Sequence, residues 1–229
     1  MSAVDKPPRQ ACWGLFVFIA LLAAPALAED PYAAWQRAAR DRGLLAEVTA
    51  ITRRAVEDTV WGRALTVPRN WKSPLLSRPV GIFVTLVRDT EVRGCMGALQ
   101  SAERNAAHEI ARAASLAASV DTRYPAIRPE ELARMEIRVS VVGPRRRAAS
   151  LSQLDPLRLG LFVQRDRRGA VLLPGEALSA GRQVAECRRK AGIRSSESVL
   201  MYTFPTVVVT VPPPSSASTP SSSSKEKSK

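Results

Sequence analysis

The chain has 229 residues, 45% of them hydrophobic and 24% charged, a globular composition that excludes a wholly disordered polymer. One histidine, His108, beside three cysteines excludes a multi-histidine or four-cysteine metal centre, so neither a metal nor a cofactor is expected. Lysine and arginine outnumber aspartate and glutamate by 34 to 21, a formal charge of +13, which directs attention to anionic partners.

Lys6 and Arg9 precede an apolar run of 14 residues, 11–24, and Ala26-Leu27-Ala28 places small residues before Glu29. This pattern reads as a secretory signal peptide over residues 1–28, cleaved after Ala28, and implies an exported protein, periplasmic or extracellular. The run is shorter than the roughly 20 apolar residues of a membrane-spanning helix. No other segment is long enough to span, so no transmembrane segment is expected once the leader is removed. Cleavage removes Cys12 and leaves Cys95 and Cys187 in a compartment that permits a disulfide between them.

Asp30-Pro31 is a helix start, and Leu44, Val48, Ile51, Ala55 and Val56 recur at helical spacing, with Gly43 a candidate break between two helices. Residues 66–79 hold three prolines and read as a loop. Residues 80–87 and 92–99 read as a β-hairpin turning at 88–91. Residues 103–118 are alanine-rich and helical. Pro129-Glu130-Glu131 starts a helical turn into 135–141, where strict alternation marks a half-buried strand. Residues 157–164 and 170–173 form a second hairpin, 176–191 a weak helix, and 199–211 a closing strand that Pro205 interrupts or confines to an edge. Residues 212–229 are a Ser/Pro/Lys segment with almost no apolar side chain, expected to be a disordered tail. Hairpins and helices without a βαβ cadence predict an α+β domain over about 30–211, with mainly antiparallel strands and packed helices.

Gly81 to Leu86 followed by Val92-Arg93-Gly94-Cys95-Met96-Gly97 resembles the AMMECR domain family, whose hallmark is Leu-Arg-Gly-Cys-Ile-Gly after such a strand. Asp121-Thr122-Arg123-Tyr124-Pro125 is similar to its Asp-x-Arg-Phe-Pro. The strand at 135–142 is similar to its Val-Ser strand, the segment at 168–174 to its Gly-Leu-Leu-Leu-Pro and the segment at 187–192 to its Cys-x-Lys-Ala-Gly. Val92 and Met96 replace Leu and Ile of the hallmark, and the stretch between Pro174 and Cys187 is shorter than in the family and lacks its tryptophan. The resemblance implies a two-lobed α+β domain of undetermined biochemical activity. Members of that family are mostly read as intracellular, a contrast with the leader here.

The candidate site is a cleft around the hallmark: Arg93, Gly94, Cys95, Gly97, Asp121 and Arg123. Two glycines beside a thiol let backbone or ligand approach closely, and an adjacent guanidinium favours a thiolate. Three fates stay open for Cys95: a buried small hydrophobe, a reactive or ligand-contacting thiol, and a disulfide with Cys187. Asp121 and Arg123 either pair with each other at a helix end or join the pocket. A nucleophilic Cys95 needs a base, and His108 is the sole histidine available.

Basic clusters at 145–147, 165–168 and 188–190 fall in predicted turns or a helix end and read first as solvated surface. No aromatic residue interleaves them, which with export disfavours nucleic acid. The expected function is therefore an exported domain that binds a small ligand or a protein segment around the hallmark. The alternatives are a thiol-dependent enzyme using Cys95, and attachment to an anionic envelope lipid or polymer through arginines.

Overall fold

A computed structural model describes residues 30–214. The expected leader at 1–28, its cleavage site and the expected tail beyond Pro214 lie outside the described residues.

The Asp30 carboxylate accepts from Tyr32 N at 3.0 Å and opens α1 (Pro31–Ala38). Asp41 caps α2 (Arg42–Val60) through Leu44 N at 2.7 Å. The break between the two helices thus lies at this cap, just before Gly43, and Gly43 sits inside the first turn of α2. The loop at 66–79 contains one short 3-10 turn, Pro74–Ser77, which buries Leu75 and Leu76. β1 (Ile82–Arg88) and β2 (Glu91–Ala98) are joined by Asp89-Thr90, both at positive φ, 51° and 74°, the turn shape that matches strand twist. α3 (Ala106–Ser119) starts at its Asn105 cap, later than the expected residue 103. The reason is local: Glu109 Oε2 accepts from Ala102 N at 2.8 Å and Glu103 N at 3.1 Å and holds those residues in a loop.

β3 (Met135–Val142) and the terminal β8 (Thr206–Val211) complete an antiparallel sheet of order β2-β1-β3-β8. Alternation sends Ile82, Val84, Leu86, Ile137, Val139, Val141, Val207 and Val209 to one face, where α1, α2 and α3 cover them in the main core. The opposite face, with Thr85, Arg138, Ser140, Val208 and Thr210, carries no helix.

The second lobe is a smaller antiparallel sheet, β4 (Arg146–Ala148), β7 (Leu200–Phe204), β5 (Gly160–Arg165) and β6 (Arg168–Leu172) in that spatial order, backed by α4 (Ala180–Ala191). Arg146 and Arg147 lie in the edge strand β4, not in the expected turn. α4 begins after residue 176 because Glu176 folds back to accept from Leu173 N at 2.8 Å, and Ser179 supplies the cap. The expected closing strand at 199–211 is two strands in different sheets. Pro205, with no N–H to give a ladder, marks the crossing. There Gly143, where the chain leaves the large lobe, donates its N–H to Pro205 O at 2.9 Å.

The lobes meet through a small apolar cluster. Val142, Leu173 and Phe204 form its buried centre, with Phe83, Cys95, Leu99, Phe162 and Val171 packed around them. Among the described residues no helix is long and apolar enough to cross a membrane.

Candidate functional site

The hallmark segment occupies β2, an edge strand, and its residues from Arg93 to Gly97 each have a partner or a packing reason, while Val92 is exposed. Gly94 faces α3 so closely that a Cβ would lie 2.0 Å from Ala117 O, and a Cβ at Gly97 would lie 2.1 Å from Ile82 O. The close approach anticipated for these glycines is made by backbone. Leu86 pairs with Gly94 while Val87 pairs with Val92, so Arg93 is the extra residue of a β-bulge. A bulge re-aims the side chain it carries. Arg93 accordingly donates Nε to Glu131 Oε1 at 2.8 Å, beside Arg88 Nη1 at 2.7 Å on the same oxygen. The expectation that Arg93 would favour a thiolate at Cys95 is thereby corrected, since its charge is spent on the buried Glu131.

Cys95 is partly buried against the interlobe cluster, and its Sγ accepts from Thr85 Oγ1 at 3.2 Å. Burial pushes the thiol above its ordinary value; the Thr85 hydrogen bond and the charges of Arg123 and Lys190 offset this only in part. Asp121 and Arg123 grip the backbone of the same residue. Asp121 Oδ2 accepts from Cys95 N at 2.8 Å, and Arg123 Nη2 donates to Cys95 O at 2.9 Å. Arg123 also donates Nε and Nη2 to the Asp121 carboxylate at 2.8 and 2.7 Å. Burial raises the Asp121 pKa, but the hydrogen bonds from Arg123 and from Cys95 N outweigh it and hold the carboxyl below its usual range. The pair therefore satisfies both main-chain groups of Cys95 that an edge strand would leave open.

Of the three fates left open for Cys95, a disulfide with Cys187 is not the one in this structure, where both thiols are free. Each belongs to a different cluster: Cys187 lies in the small-lobe core with Leu161, Val163 and Leu172, and its Sγ donates to Leu161 O at 3.5 Å. Burial pushes its thiol up to about 12. His108 is not paired with Cys95. It sits in the first turn of α3, against Asn105, Arg104 and the edge of Trp71. Along the helix it is roughly 13 Å from Ala117, the residue that abuts Gly94.

The open space lies one strand further in. A cleft of about 810 Å3 separates the helix-free sheet face from the 173–176 loop and residues 157 and 158 of the small lobe. Thr85, Arg138, Ser140, Thr206 and Thr210 line it from the sheet, and Leu157, Arg158, Leu173, Pro174 and Glu176 line it from the loop side. A second cavity of about 400 Å3 lies on the other side of Glu176, among Arg123, Tyr124, Arg182, Arg189 and Lys190. Cys95, hydrogen-bonded to Thr85, lines neither cavity, and of the expected site residues only Arg123 reaches one of them. The cleft wall was missed in the sequence, although its signal was present: Arg138 and Ser140 are the polar alternates of the strand at 135–142, and Thr206 and Thr210 those of the last strand.

Of the basic clusters, Arg165 and Arg168 converge on Glu197 at 3.2 and 2.7 Å and draw its carboxyl down to about 2. Arg188 donates to Arg194 O and Glu197 O, both at 2.8 Å, at the end of α4. Among the described residues no group of three or more His, Cys, Asp or Glu side chains is placed to hold a metal ion.

The AMMECR1 family model matches residues 49–209. A protein from Thermotoga maritima is 32% identical over 156 residues, 66% of this chain and 90% of that protein. One from Aeropyrum pernix is 34% identical over 141 residues, 57% of this chain and 59% of that protein. The crystal structure of the uncharacterized protein PH0010 from Pyrococcus horikoshii is similar with a TM-score of 0.64 and 25% identity, covering 72% of this chain and 90% of the other.

Proposed function

Since the chain belongs to the AMMECR1 family, a family of uncharacterised function, we propose that it is an exported binding module that takes a small ligand in the cleft between its two lobes. The observation that supports this reading is the cleft of about 810 Å3 with polar side chains converging from both walls, within the size range of small-molecule sites. Of the hallmark residues Val92 reaches the cleft wall, and the others support the site without lining it. Gly94 and Gly97 allow the close packing, and Asp121 and Arg123 fix the strand whose neighbour, β1, carries Thr85 into the wall.

The geometry speaks against a thiol-dependent enzyme. Cys95 is partly buried, its thiol is raised, and the one histidine is at the far end of α3. A nucleophilic cysteine needs the opposite on each count. Attachment to anionic surfaces through arginines is weakened by the pairing of Arg165 and Arg168 with Glu197. The export half of the proposal rests on residues 1–28 of the sequence.

The test is an amide NMR titration of the full chain with mixtures of small metabolites. A ligand of the cleft shifts Thr85, Ser140, Thr206 and Thr210 together; if no compound moves them, the binding reading fails. N-terminal sequencing after expression in a secretory host checks export, and a product retaining Met1 would sink that half alone.

A further inference from the structure

The lining of the cleft also specifies a ligand class. We infer that the cleft selects a small, hydroxyl-bearing oxyanion, a carboxylate or a phosphate, held between Arg138 of the large lobe and Arg158 of the small lobe. This rests on the proposal that the cleft is a ligand site.

Arg138 donates Nε to Glu136 Oε1 at 2.6 Å, and its two Nη groups have no acceptor among the described residues. Arg158 has its nearest carboxylate, Asp155, at 3.9 Å, beyond hydrogen-bond reach, and its side chain is 86% exposed. The one carboxylate in the lining is engaged through one oxygen and offset by a lysine: Glu176 Oε2 accepts from Leu173 N at 2.8 Å and faces Lys190 Nζ at 3.7 Å. The unfilled capacity of the cleft is therefore cationic and rich in donors.

Three hydroxyls, those of Ser140, Thr206 and Thr210, line the same wall without a partner among the described residues. Ser140 is itself buried. An apolar ligand would strip water from these groups and return nothing, and a cation would meet two guanidinium groups. A carboxylate or phosphate matches the planar fork of arginine. A ligand hydroxyl matches Ser140 or a threonine because each can both donate and accept. Val208, Leu157 and Leu173 leave an apolar strip for a short carbon skeleton.

Gluconate, glycerol phosphate, acetate and glucose, titrated into the full chain with the same amide resonances observed, separate the requirements. Gluconate or glycerol phosphate is expected to bind at least about tenfold tighter than glucose, which lacks the charge, and than acetate, which lacks hydroxyls. Raising the salt concentration weakens the binding. Arg158→Gln, at an exposed side chain that the fold does not need, is expected to lower affinity about tenfold, and Arg138→Gln to do the same. The preference between gluconate and glycerol phosphate identifies which oxyanion is held. Glucose binding as tightly as gluconate, or Arg158→Gln and Arg138→Gln both binding gluconate like the parent, overturns the oxyanion class. Glucose or another neutral compound shifting Ser140 and Thr206 leaves the cleft standing as a ligand site, so the two failures are distinct.

Discussion

The Asp121 carboxylate accepts the main-chain N–H of Cys95 at 2.8 Å while its partner Arg123 donates to the Cys95 carbonyl at 2.9 Å. One ion pair thus closes both outward main-chain groups of a single residue on a strand edge. The pairing anticipated for these two residues exists, and it holds the backbone of the hallmark.

Asp121→Ala is expected to lower unfolding stability by about 2 kcal/mol, because hydrogen bonds to a charged group are lost from a buried acceptor. The Arg123 side chain is 44% exposed and is re-solvated rather than stranded, which keeps the loss below that of a fully buried pair. Urea denaturation of Asp121→Ala, Arg123→Ala and the double variant measures the coupling. Strict additivity of the two losses would show that they do not act as one clamp.

Acid sensitivity follows from three buried carboxylates. In Asp58, Asp121 and Glu131 burial raises the pKa, but arginine and other hydrogen-bond donors outweigh it, so each folded value lies below the unfolded one. A depressed carboxylate contributes its full stability above the unfolded pKa, about 4, and loses it as pH falls through the folded value. The urea midpoint should therefore be level near neutral pH and decline steeply below about pH 4. Glu131→Gln should lower the plateau by about 3 kcal/mol, as Arg88 and Arg93 lose a shared partner, and make the acid decline shallower. An unchanged acid slope in that variant would contradict the assignment.

Gly94→Ala should destabilise the fold by about 3 kcal/mol or more, because the new Cβ meets the Ala117 carbonyl at 2.0 Å and neither backbone can yield cheaply. Gly181→Ala is the contrasting case. It lies in the first turn of α4 with nothing within 4 Å of the added carbon, and a gain of about 0.5 kcal/mol is expected from helix propensity. Melting temperatures of the two variants should move in opposite directions.

Alkylation by iodoacetamide at about pH 8 should be slow at both cysteines in the native protein and fast after unfolding, since the thiolate is the reacting form. Cys187, pushed up to about 12, should be the slower of the two, read by peptide mass spectrometry. Rapid native modification of Cys95 would restore the thiol-enzyme reading. Cys95→Ala should cost about 1 kcal/mol through a small cavity.

What the sequence made legible was whatever its own periodicity encodes. Leu44, Val48, Ile51 and Ala55 marked the buried face of α2, and the alternation of Met135 to Val141 marked β3, because burial on one side imposes a 3.6 or a 2.0 repeat. Arg146 and Arg147 were hidden in a strand of three residues, too short for any repeat to register. Arg93 was misdirected by a bulge, which is a property of two strands together and leaves no trace in one. The cleft escaped for the same kind of reason: Ser140 and Thr206 are unremarkable singly and meet only when β8 lies beside β3.

The chain enters the small lobe at Gly143 and returns at Pro205, so Val142 pairs with Thr206 across the whole of that lobe. The large sheet therefore cannot be finished until β8 has been made. Until then β3 presents an open, valine-rich border to whatever the nascent chain encounters. Truncation before Thr206 should leave β1, β2 and β3 with an unprotected rim, strip Val207, Val209 and Val211 from the core and promote aggregation, although every residue removed lies far along the chain from the helices that build that core. Assembly of the first lobe is in this sense postponed by the second.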